Sequence, residues 1–176
     1  MRHGNGTPSA VRTLTKIDPQ TWPKDRLLWL WGQLLTQDYA YDDMAQALGA
    51  QGFLNQLFQP ASEWYEVGDD GIVVASGILP KCNAMVHFAQ WGDIELREMF
   101  PIQTQWFDSL FTRWQLNRLT AYIPAFNKQA VRMVTLTGFK YEGEMRKAFL
   151  KHGTYHNLLI YGILREEFYK RQVPNA

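Results

Sequence analysis

Along residues 10–17 the side chains alternate, Val11 and Thr13 against charged or polar neighbours, which predicts a short strand. Residues 18–23 form a turn with two prolines. There Thr21 is a candidate helix cap, and Pro23 suits a first helical turn because its missing N–H would have no partner anyway. Leu27, Leu28, Trp31, Leu34 and Leu35 then recur at helical spacing and make one apolar stripe. Asp42 and Asp43 can open a second helix through Met44, Ala47 and Leu48, weakened by Gly49 and Gly52. Phe53, Leu54, Leu57 and Phe58 continue it as far as Pro60.

From Glu63 the period shortens to two. Residues 64–67 and 72–79 read as strands about the turn Gly68-Asp69-Asp70-Gly71, and residues 84–91 as a third. Pro101 opens the next predicted helix, with Ile102, Trp106, Phe107, Leu110, Phe111 and Trp114 on its apolar face. A strand over 119–123 follows. Asn127 caps a helix that Gly138 terminates, since an asparagine side chain can accept from a first-turn N–H and glycine tolerates positive φ. Two strands, 139–150 and 155–164, meet at Lys151-His152-Gly153, and residues 165–171 read as a short exposed helix or tail.

The order β-α-α-β-β-β-α-β-α-β-β predicts a mixed α+β fold in one domain. We expect a flexible N-terminus over 1–9, the domain over 10–168 and a tail over 169–176. A chain of 176 residues can bury a full core without disulfide or metal. Seven Trp, eight Tyr and ten Phe at a net charge of +1 exclude intrinsic disorder. The same balance, 18 basic against 17 acidic residues, argues against nucleic acid as partner, because duplex binders carry a basic face and single-strand binders a basic groove. Cys82 is the one cysteine, and no Cys/His cluster has zinc spacing, so no metal is expected. No apolar run is long enough for a membrane span and no signal-peptide pattern opens the chain, which leaves a soluble, cytoplasmic protein as the expectation.

Asn127-Lys-Gln-Ala-Val-Arg132-Met-Val-Thr-Leu-Thr-Gly138-Phe139 places Gly-Phe eleven and twelve residues after an Asn. With Arg118-Leu-Thr-Ala-Tyr-Ile before it and Glu142-Gly143-Glu-Met-Arg146 after it, this stretch resembles the GNAT superfamily of acyl-CoA-dependent N-acyltransferases, in particular its RimJ/RimL-type branch. The resemblance implies a central, mostly antiparallel twisted sheet of six or seven strands flanked by about four helices. It implies acetyl-CoA as co-substrate and a primary amine, on a small molecule or a peptide N-terminus, as acceptor. A bulge around Phe88, Ala89 and Gln90 would present a backbone N–H to the developing oxyanion. Asn127 would face the pantetheine arm as well as cap its helix, and Arg132 would reach a phosphate. His87, the one titratable side chain in residues 84–91, would take the amine proton, with Glu66 a weaker candidate.

Each assignment has a plainer alternative: Asn127 as a cap alone, Arg132 on a solvated helix face, His87 as a structural residue of a strand. Cys82 has no activating His or acid placed by sequence, and Asp69-Asp70 sits in a hairpin turn. The family's glycine loop for pyrophosphate is also missing. Residues 94–100 contain no glycine and two carboxylates, Asp93 precedes them, and Arg97 is the compensating cation. The usual acid position, seven residues after the Asn, is Val134. Some phage-encoded proteins of this fold, including virion components, share that loss. A second function therefore stands beside the enzyme: a non-catalytic GNAT-fold protein acting through contacts, with an aromatic-rich surface suited to a homodimer or an assembly partner.

Overall fold

The computed structural model describes residues 12–172. Its elements are β1 (Leu14–Ile17), α1 (Lys24–Leu35), α2 (Asp43–Ala47), α3 (Gly49–Leu57), β2 (Glu63–Val67), β3 (Gly71–Leu79), β4 (Asn83–Gln90), α4 (Leu96–Arg113), β5 (Arg118–Pro124), α5 (Lys128–Leu136), β6 (Lys140–Lys151), β7 (Thr154–Leu164) and α6 (Arg165–Gln172). The expected flexible stretch 1–9, the start of the first predicted strand at 10 and 11, and residues 173–176 of the expected tail lie outside the described residues.

Seven strands form one sheet in the order β1-β2-β3-β4-β5-β7-β6. Every neighbouring pair is antiparallel except β4–β5, which is parallel. Period-two alternation sends successive side chains to opposite faces. One face carries Trp64, Ile72, Val74 and Ala89 against α1 and α3, with Leu27, Leu30, Leu34, Phe53 and Leu57 buried there. The other carries Val73, Ala75, Val86, Leu119 and Ala121 against α4 and α5, through Met99, Trp106, Phe107, Leu110, Phe111 and Met133.

Several expected boundaries move for identifiable reasons. Pro23, not Thr21, occupies the cap position of α1, and no side chain caps that helix. The second predicted helix is two helices, because Gly49 adopts φ +61° and turns the chain between them. Asp42 does cap the first piece, accepting the Ala45 N–H at 2.7 Å. The fourth helix begins at Leu96, five residues before Pro101, which stands inside it. The proline there costs one backbone bond rather than opening the helix. Six helices lie among the described residues, where about four were expected. The last of them, which its charges predict to be exposed, is pinned by Phe168, buried against Phe107 and Phe111.

At the end of α5 the expectation holds in detail. Gly138 takes φ +97°, its N–H donates to the Thr135 carbonyl, and the Phe139 N–H donates to the Val134 carbonyl. This is a Schellman closure, which a Cβ at Gly138 would strain.

Candidate active site

β4 and β5 are registered over three positions only, Asn83 with Arg118, Ala84 with Leu119 and Met85 with Thr120. Beyond them each strand keeps its outer neighbour: β4 pairs with β3 as far as Gln90, and β5 pairs with β7 as far as Pro124. The two strands therefore part like a wedge. A cavity of about 900 Å³ fills the gap and extends to both faces of the sheet, from Trp64, Ile72 and Val74 on one side to Trp106, Phe107 and Met133 on the other.

Hydrogen bonds at the end of β4 tell which backbone groups face the gap. The Trp91 N–H donates to the Asp70 carbonyl, toward β3. The Gln90 N–H instead donates to the Tyr39 hydroxyl, and the Gln90 carbonyl accepts from that hydroxyl, each at 3.3 Å. Alternation along a strand then places the Phe88 N–H on the same edge as that of Gln90, pointing into the wedge. The bulge expected around Phe88–Gln90 is absent: pairing with β3 is unbroken from Met85 to Gln90. The irregularity lies on β3, where Gly77 (φ +55°) and Ile78 face one residue of β4. Divergence of the strands, not a bulge, exposes the β4 backbone.

His87, Phe88, Ala89, Gln90 and Asn127 all line the cavity. His87 points to the α1–α3 face, registered opposite Val74, and its Nε2 lies 3.0 Å from Oγ of the diagonal neighbour Ser76. The ring is open to the cavity yet surrounded by protein, and this poor solvation pushes its pKa below the ordinary 6.5. Ala89 is buried in the core of that face. The Gln90 side chain is spent on the following turn, its Nε2 donating to the Gly92 and Ile94 carbonyls. Asn127 accepts the Ala130 N–H at 3.0 Å through Oδ1 and so caps α5, which leaves its Nδ2 group for another partner.

Arg97 and Arg132 stand elsewhere. Both are exposed, neither lines the cavity, and Arg97 pairs with Glu95 at 2.8 Å. At the head of α4, Arg12 donates to Asp70 at 2.6 Å, to Glu98, and to the Asp93 carbonyl at 2.9 Å. Two of the three carboxylates noted in this stretch thus carry their own cations, and no described residue from Asp93 to Ile102 lines the cavity. Glu66 is held by Arg26 at 2.9 Å and does not line it either. Asp69 and Asp70 part at the hairpin tip to Arg26 and Arg12. Cys82 is exposed in the β3–β4 turn.

The structure adds residues that sequence patterns did not single out for the site. Tyr39 arrives from the loop after α1, and Ser76 from β3. Gln103 and Trp106, three residues apart on α4, line one cavity wall, and Gln103 Oε1 and Trp106 Nε1 are buried without hydrogen-bond partners; Trp64, on the other face, has a third such atom in Nε1. Polar atoms buried without partners are rare in proteins. The only signal in the sequence was a polar Gln within an apolar helical stripe.

The Asn127 cap and its free amide can be separated by substitution. Asn127→Asp should keep the α5 cap and the unfolding midpoint, whereas Asn127→Ala should lose about 1 kcal/mol. If the amide also holds a ligand, the Asp variant weakens that ligand while stability stays, a difference readable by titration calorimetry beside urea denaturation.

No protein-family model matches the chain, and no curated protein matches it. Solved structures do. A spermidine/spermine N-acetyltransferase, SpeG from Vibrio cholerae, in mutant forms, aligns with TM-score 0.71 over 93% of this chain and 99% of its own, at 15% identity. A dodecameric form of the spermidine N-acetyltransferase from the same organism gives 0.70 over 93% and 99%, at 14% identity. A protein described as a probable acetyltransferase gives 0.67 over 89% and 94%, at 15% identity.

Proposed function

The chain has the GNAT fold, and from that premise we propose that it is an N-acetyltransferase moving an acetyl group from acetyl-CoA to a primary amine. The observation that carries this reading is the wedge between β4 and β5, with Asn127 at the cavity and the Phe88 N–H on its edge. The neutral arm of acetyl-CoA suits a wall lined by Phe88, Trp106, Phe107, Met133 and Val134, none of them charged. Acetyl-CoA would supply a thioester carbonyl for the amine to attack, forming the C–N bond as the C–S bond breaks.

The chain's own groups then have defined tasks. The Phe88 N–H is placed to stabilise negative charge on the carbonyl oxygen. His87 takes the proton from the amine: in the tautomer whose Nε2–H donates to Ser76 Oγ, Nδ1 is the accepting nitrogen. A depressed pKa keeps that ring neutral and ready at physiological pH. The thiolate takes its proton from solvent, since the usual tyrosine position holds Val134.

The head of α4 favours a second reading, a GNAT-fold protein that works through contacts and transfers nothing. A helix N-terminus attracts phosphate through free N–H groups and its dipole. Here that end carries Glu98 and Arg12 in mutual contact, and no glycine permits close approach. Titration calorimetry with acetyl-CoA decides between the two. Micromolar binding is expected; no heat at millimolar ligand would leave the contact reading alone.

A further inference from the structure

Among the described residues, those lining the cavity include no lysine, arginine or glutamate and only one aspartate. That aspartate, Asp42, is already the cap of α2. Other carboxylates on the elements behind the same wall face other groups. Asp38 faces His152 at 3.2 Å, Asp43 accepts the N–H groups of His152 and Gly153 at 3.0 and 2.9 Å, and Glu66 is held by Arg26. What remains toward the acceptor side, where His87 points, is aromatic and neutral: Tyr39, Tyr41, Trp64, Trp91 and Phe149, with glutamine amides between them.

This composition discriminates among amines. An aromatic wall can hold one ammonium group over a ring face and bury an apolar body beside it. It cannot match two or three ammonium groups, each of which needs a carboxylate once it leaves water.

Resting on the acetyl-transfer reading, we infer that the acceptor is a monoamine carried on an aromatic or otherwise apolar body, and that polyamines are poor ligands of this cavity. A free arylalkylamine and the N-terminal amine of an aromatic residue share that chemistry.

The test is direct binding to the full chain, with and without acetyl-CoA, of 2-phenylethylamine, the peptide Phe-Gly-Gly and spermidine, alongside thiol release from acetyl-CoA. At least one aromatic probe should bind about tenfold or more tightly than spermidine, and turnover should follow the same order. The better of the two aromatic probes identifies the source. Equal or tighter binding of spermidine overturns the inference, and so does the failure of all three in the millimolar range. If acetyl-CoA itself does not bind, the acetyl-transfer reading falls, while the binding ratios measured without it still judge the cavity. Gln59→Glu, an exposed position on the lining, should raise spermidine affinity several-fold. An unchanged spermidine affinity in that variant would show that wall charge does not set the choice.

Discussion

Replacing His87 with alanine is expected to lower acetyl transfer by about 10²-fold or more while leaving acetyl-CoA affinity and the unfolding midpoint near those of the parent chain. The ring projects into the cavity from a strand whose pairing with β3 is backbone-made, so truncation removes a proton acceptor rather than a core contact. The pH profile supplies an independent check. A base must be neutral to act, and desolvation by the protein around His87 lowers its pKa from 6.5. The rate at limiting substrate should therefore rise as pH climbs through that lowered value and be level above it. Below it the imidazolium cannot accept a proton and activity falls about tenfold per pH unit. A limb at or above the ordinary histidine value, or an alanine variant with parental turnover, removes His87 from the mechanism. Ser76→Ala separates positioning from chemistry: loss of the Ser76 contact should move the limb, because it frees Nε2, without abolishing turnover.

What the sequence revealed about this site follows the range of the interactions involved. Asn127 as cap and Gly138 as helix stop are local facts, decided within a turn of backbone, and both are found as expected. Strand alternation likewise places His87 and Phe88 on opposite faces of β4 from period alone. The wedge has no local signature, because it arises from β4 and β5 each following a different outer partner in the sheet. Tyr39 reaches Gln90 across 51 positions, and no periodicity announces such a contact. The start of α4 is hidden for another reason. Proline is commonest in a first helical turn, but here tertiary burial of Met99 and Ile102 outweighs the one bond that Pro101 forfeits. Arg97 suggests a phosphate partner as the one cation among acids, and in this structure it pairs with Glu95, two residues away and exposed. The charges of the final helix predict exposure, and the single apolar Phe168 decides otherwise.

That helix makes the second large effect predictable. Phe111, with no exposed surface, lies on α4 against the rings of Phe168 and Tyr169, at centroid distances of 5.2 and 6.2 Å. Phe107 continues the cluster to Phe139 at 5.5 Å, and both of these line the cavity. Removing the Phe111 ring deletes its contacts with two rings of α6 and leaves a void that α4, fixed by Leu110 and Trp106, is poorly able to close. Phe111→Ala should therefore cost about 3–5 kcal/mol, a large share of the ~5–15 kcal/mol that holds a typical domain together. Urea denaturation followed by tryptophan fluorescence measures it. Phe168→Ala should cost less, because α6 can lift away as a unit and let water fill the space, whereas Phe111 has α4, the sheet and α6 all around it. If the two variants lose equal stability, α6 is as firmly fixed as α4, and the last helix belongs to the core rather than covering it. A loss below ~1 kcal/mol for Phe111→Ala would show that this face can collapse around the void. The cavity wall formed by Phe107 and Phe139 would then have to be a deformable surface, and acetyl-CoA affinity in the variant should change with it.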